Sequence, residues 1–172
     1  LHVRSRRQRQ MCIRDSDYVE LVKDRAYGAR GESEQASVHA ALATTLDALL
    51  RLFAPFLPFA TDEVWSWWRH GSVHRSEWPT TQGWAEVAAS GDAEVLDVVG
   101  RALSGLRKSK SEAKVKQRTE VASATVAAPS ESIPRLHAGL EDLKAAGNAR
   151  QIDVTESEDD ISVTNVELVP GD

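Results

Sequence analysis

The 172-residue chain has one cysteine, Cys12, and one methionine, Met11. A lone thiol excludes a disulfide framework and any cysteine-rich zinc site. No run of about 18 apolar residues occurs, so no membrane span is expected. There is no glycine-rich phosphate loop, no carboxylate pair at catalytic spacing and no nucleophile–base set, so these residues are not expected to catalyse a reaction. The single cysteine fits a reducing, cytoplasmic setting. What is present is ample for a core: 41% of the residues are hydrophobic, and the length suits one domain or two small ones.

Charge is unevenly spread. The net charge is −5, yet residues 1–16 hold Arg4, Arg6, Arg7, Arg9 and Arg14 against Asp15 alone. The remainder carries 16 basic and 25 acidic side chains, a net −9. A body this acidic does not bind RNA by general charge, so any RNA contact needs a local basic patch. The run from Arg6 to Ser16, RRQRQMCIRDS, resembles translated sequencing-adapter sequence more than a basic arm or a transit peptide. Residues 1–16 are therefore expected to be non-native and disordered, with authentic protein starting near Asp17.

Residues 17–27 place Tyr18, Leu21, Val22 and Arg25 on one helical side, with Gly28 as a stop and 28–31 as a turn. Val38, Leu42, Leu46, Leu49, Leu50 and Phe53 recur at helical spacing, which predicts a helix over about 32–54 with one buried stripe. Pro55 and Pro58 lack an N–H and push the residue before each out of the α region. Phe53, Phe56, Leu57 and Phe59 surround this break, which predicts a buried corner. Thr61 suits an N-cap, with Asp62 and Glu63 in the first turn, and the helix runs to about Arg69 with Trp65, Trp67 and Trp68 on it. Residues 71–79 read as an extended segment anchored by Trp78. His74 there reads as a packed or hydrogen-bonded histidine, because no third metal ligand lies nearby. Residues 81–91 read as a linker.

Beyond it, 92–110 is an amphipathic helix with Val95, Leu96, Val99, Ala102, Leu103 and Leu106 as its stripe. A Val/Thr/Ala strand follows at 119–128, then a helix marked by Ile133, Leu136, Leu140 and Leu143 and closed by Gly147. Short strands at 152–155 and 161–169 complete the order α-β-α-β-β, a small α+β domain. The alternation of the last strand slips between Val163 and Val166, which predicts a bulge near Thr164. Arg107, Lys108, Lys110, Lys114, Lys116 and Arg118 form a basic run between the helix and the first strand. They suit RNA phosphates, or equally a solvated helix end where cations oppose the dipole.

Three segments carry a family resemblance: the corner Leu49–Trp65 (LLRLFAPFLPFATDEVW), Ser72-Val73-His74 with Trp78-Pro79, and Tyr18-x-Glu20-Leu21-x-Lys23-x-Arg25. They resemble the anticodon-binding domain of class I aminoacyl-tRNA synthetases of the valine, isoleucine, leucine and methionine group. Lys110-Ser111-Glu112-Ala113-Lys114-Val115 is similar to the valyl subfamily. The isoleucyl subfamily is the alternative, though many of its members carry a C-terminal cysteine zinc site. Lys108-Ser109-Lys110-Ser111 looks like the adenylate-binding Lys-Met-Ser-Lys-Ser loop, but it lies after the corner and lacks the Met, and no His-x-Gly-His partner exists.

The resemblance covers 17–172. It implies an α-helical bundle of the class I anticodon-binding type over 17–80, N-terminally truncated, then a small α+β domain over 92–172. The family bundle has a further helix upstream, so part of the apolar stripe is expected to lie exposed. The family's C-terminal coiled coil is also missing, and the polar ending at Asp172 suits a natural terminus. The implied role is to grip the anticodon arm of valine tRNA. The whole enzyme would use ATP and Mg²⁺, act as a monomer, and edit mischarged product, since a hydrophobic pocket separates near-isosteres by only about 10²-fold. Its catalytic domain would be this segment's partner in the same chain. Candidate tRNA contacts are Arg69, His70, Arg75, Arg107, Lys110 and Lys114, with Trp67 as a stacking surface. No cofactor or metal residue is expected. The alternative of another class is a non-catalytic helical interaction protein without an RNA role, which the acidic body would suit.

Overall fold

A computed structural model describes residues 17–82 and 84–169, apart from the side chains of residues 86 and 87. The adapter-like segment 1–16 and the terminal residues 170–172 lie outside the described residues. The described chain divides into two compact units, residues 30–91 and residues 17–29 with 92–169. The helical part followed by a small sheet is the expected architecture. The division itself differs from the grouping of 17–80, because helix α1 (17–26) belongs with the sheet. Leu21 enters that unit's core, and Arg25 pairs with Asp142 at 2.9 Å. Periodicity shows that a helix has an apolar side but not what will cover it.

In the 30–91 unit, α2 (Glu32–Phe53) runs into a turn closed by Phe56 and Leu57 N–H groups on Phe53 O. Helix α3 (Pro58–Ser66) starts at Pro58, three residues before the expected N-cap. Proline suits that first helical position because its missing N–H would have no partner there. Thr61 is thus inside the first turn, its hydroxyl donating to Leu57 O at 2.9 Å. The core here is Leu50, Ala54, Trp65 and Val73. The corner predicted as buried is exposed: Phe56 is 78% and Phe59 90% accessible, and Phe53 and Leu57 are also open. The apolar residues mark the turn, but the elements folded against it, α2, α3 and the 3₁₀ turn at Val73–Arg75, bury only Leu50, Ala54, Trp65 and Val73. Along the stripe Val38 and Leu50 are buried, while Leu46, Leu49 and Phe53 are exposed.

By length and composition alone, α2 is the one described helix that could cross a membrane. Its Asp47 pairs with Arg51 at 2.7 Å and with Arg69 at 3.2 Å. The unit ends with a 3₁₀ turn at Val73–Arg75, capped by Ser72, and a short α4 (Ala85–Ala89).

The other unit is built on α5 (Glu94–Glu112) and a three-stranded sheet of order β2-β1-β3. Strand β1 (Val121–Ala128) pairs parallel with β2 (Ala149–Glu156) and antiparallel with β3 (Ser162–Leu168). Between β1 and β2 the expected single helix is two, α6 (Ile133–Ala138) and α7 (Leu140–Gly147), parted at Gly139. A Cβ at Gly139 would lie 2.6 Å from Val99 Cγ2, so only glycine lets the chain pass this close to α5. Val99, Ala102, Leu103 and Leu106 of α5 meet Val121, Ala124 and Val126 of β1 and Leu136 and Leu143 of the crossover in one core. The β3 register shifts between Thr164 and Glu167, with Asn165 at φ 50°, where the alternation slips.

Candidate nucleic-acid interface

The expected contact residues fall into two sets, one in each unit. In the 30–91 unit they follow α3. Its last turn hands the chain to Gly71, whose φ of 78° reverses direction. Asp62 fixes what comes next, accepting from Ser72 Oγ at 2.6 Å and from Val73 N at 3.0 Å. The Ser72 hydroxyl, then the Val73 N–H and the neighbouring His74, hold the Asp62 carboxyl below its ordinary value against a smaller desolvation effect. His74 Nε2 donates to Pro58 O at 3.1 Å, so this histidine is a hydrogen-bonded brace.

Arg69 lies over the Trp68 ring, 4.7 Å from its centroid, and donates to Asp47. Arg51 covers Trp65 at 5.6 Å, and Trp65 meets Trp68 edge to face at 6.3 Å. Arg69 is therefore half-exposed while it lies against the Trp68 ring. His70 and Arg75 are exposed. Trp67 is 71% accessible, its Nε1 donating to Glu63 at 3.2 Å. Beside this network a cleft of about 290 Å³ is lined by Asp47, Arg51, Arg69, Pro79, Thr80 and Trp84. Arg51 as the partner of Asp47 was legible from the i,i+4 spacing. The roles of Arg69 and Trp84 in the same cleft were not, because they depend on how the chain folds back on α2.

In the other unit the three candidates have different fates. Arg107 is half-buried and ion-paired with Asp17. Lys110 is not a surface cation: it is 2% exposed, donating to Gly147 O at 2.7 Å and Gln117 O at 2.9 Å. Burial pushes its ammonium pKa down, and nearby Arg107 adds to that. Its place on the α5 stripe puts it opposite the C-terminal carbonyls of α7, where a cation is favoured. Lys114 is exposed, in a left-handed turn at φ 57° just past the helix.

Comparison with known proteins gives a class first. Residues 11–126 match the family model described as the anticodon-binding domain of tRNA ligase, and the chain belongs to that family. Its curated relatives are named valine--tRNA ligase. The one from Cutibacterium acnes is 50% identical over 129 residues, 74% of this chain and 14% of that protein. The one from Thermobifida fusca is 46% identical over 157 residues, 91% of this chain and 17% of that protein. That of Salinispora tropica is 42% identical over 156 residues, 83% of this chain and 18% of that protein. The chain thus spans less than a fifth of the length of the relatives it matches. The matched stretch runs from the described helix α1 through α5 into β1, so it crosses both units.

Proposed function

We propose that this chain holds the anticodon arm of a tRNA, in the service of a ligase that joins valine to that tRNA. The observation that carries the reading is the position of Arg69, His70 and Arg75. All three lie on the segment just after α3, within the stretch matched to a family described by anticodon binding. Loop bases of RNA are recognised unstacked, against aromatic rings or guanidinium planes. The half-exposed Arg69 on Trp68, with the cleft at Asp47 and Trp84 beside it, is a surface of that kind. Specificity for valine rests on the relatives' names. In this reading the ATP and Mg²⁺ of such a ligase serve its catalytic domain. The proposed setting is the cytoplasm.

The test is a binding titration of the 172-residue chain with valine tRNA and with an anticodon-swapped version, at two salt concentrations. Tighter binding to the valine anticodon supports the reading. Equal and strongly salt-dependent binding reduces it to a grip on phosphates. No binding by a folded chain refutes it and favours a protein-interaction role.

A further inference from the structure

We infer that the loop 113–118 is a second RNA contact, gripping backbone phosphates through Lys114, Lys116 and Arg118. This rests on the tRNA reading above and adds a site to it. The argument starts from how cations are disposed in the unit of 17–29 and 92–169. Of the other described lysines and arginines there, all but Lys110 face a carboxylate, as Arg25 does Asp142, Arg107 does Asp17, and Arg150 does Glu120. Lys110 is the exception, buried against backbone carbonyls. Lys114, Lys116 and Arg118 are exposed and have no acidic partner among the described residues. The nearest acids in sequence are engaged elsewhere, Glu112 by Lys108 and Glu120 by Arg150.

A chain that carries net −9 outside residues 1–16 has acids to spare for three surface cations. Leaving all three unneutralised on one five-residue stretch makes a positive point in a negative field, which is what a polyanion contact requires. The helix dipole does not account for them. Its pull fades within the last turn, and α5 ends at Glu112, before any of the three.

The loop is also held in one shape. Lys110 Nζ donates to Gln117 O at 2.9 Å, Asn148 Nδ2 donates to Arg118 O at 2.8 Å, and Val115 N donates to Lys110 O at 3.1 Å. Gln117 Nε2 donates to Arg107 O at 3.2 Å and Ser111 Oγ at 3.0 Å. These bonds tie down the backbone and leave the three cationic side chains outside. A backbone ordered before binding loses less entropy on complex formation.

The experiment is tRNA binding by the 172-residue chain and by its K114Q/K116Q/R118Q variant across a salt series, with circular dichroism of both. The substituted positions are exposed, so the variant should fold. The expected result is binding roughly 10- to 100-fold weaker at low salt. The slope of log K against log salt should fall by about 1 for each contact removed. The loss should be the same for valine tRNA and the anticodon-swapped version, because phosphate contacts carry no base information. An unchanged affinity and slope overturns the loop contact while leaving the tRNA reading intact. A loss confined to one anticodon overturns it too, since the loop would then read bases. A wild-type chain that binds no tRNA overturns both.

Discussion

The ammonium of Lys110, on α5, donates to the carbonyl of Gly147, the last residue of α7, at 2.7 Å. The same nitrogen donates to Gln117 O, so one side chain closes a helix end and fixes a loop. Replacing it leaves two carbonyls without their donor, that of the buried Gly147 and that of the exposed Gln117. Lys110→Met should destabilise the chain by about 1–3 kcal/mol in urea unfolding, the cost of one buried carbonyl left unsatisfied.

The same residue sets a pH dependence. Its folded pKa lies below the usual 10.5. Between that lowered value and 10.5 the unfolded chain keeps a proton that the folded chain has released. Stability from this group therefore rises with pH across that window. Urea midpoints of wild type against Lys110→Met should separate further as the pH approaches 10.5, and a constant separation would contradict the assignment.

Gly105 faces β3, where an added Cβ would stand 2.5 Å from Val163 Cγ2. Gly105→Ala should cost about 1–3 kcal/mol by overpacking. Val163→Ala in the same chain should recover part of that cost. A double-mutant cycle measures the coupling, and additive losses would show that the strain lies elsewhere.

Asp62 should titrate below 3.8, with the Ser72 hydroxyl as the main cause. Its contribution to stability is present above 3.8 and is lost as pH falls through the lowered value. Carboxyl NMR titration of Ser72→Ala should find the midpoint moved back up. No movement would mean that Val73 N–H and His74 hold the carboxylate by themselves.

Asp47 holds two guanidinium groups that lie over Trp65 and Trp68. Asp47→Asn removes the charge but keeps the shape. It should lower stability by about 1 kcal/mol, given that Arg69 is half exposed and screened. Tryptophan emission should change with it as the two arginines lose their anchor. Emission identical to wild type would place the arginines there without help from Asp47.

Much of the architecture was readable along the chain. The apolar spacing of α5 and the Val/Thr/Ala run of β1 gave their elements because local propensity and burial agree there. The slip in β3 showed as a broken alternation, and Gly28, at φ 84°, ended α1 as its sequence suggests. Among the proposed contacts, exposure at His70, Arg75 and Lys114 fitted their polar surroundings. Lys110 did not, since a lysine in a basic run has the same sequence signature whether it is solvated or buried.

The chain by itself determined helices α1, α2 and α5, the break at Pro55 and Pro58, the small α+β unit and the family to which they belong, while α4 in the expected linker and the split of α6 from α7 did not show. These follow from spacing, from the geometry of proline and from residue order, all of which act within a few positions. Tertiary structure alone decided that α1 joins the sheet unit, that Lys110 is a buried clamp, and that Arg69 shares Asp47 with Arg51. Each of those depends on groups that are far apart in sequence, and only packing and desolvation choose among the partners that a local pattern allows.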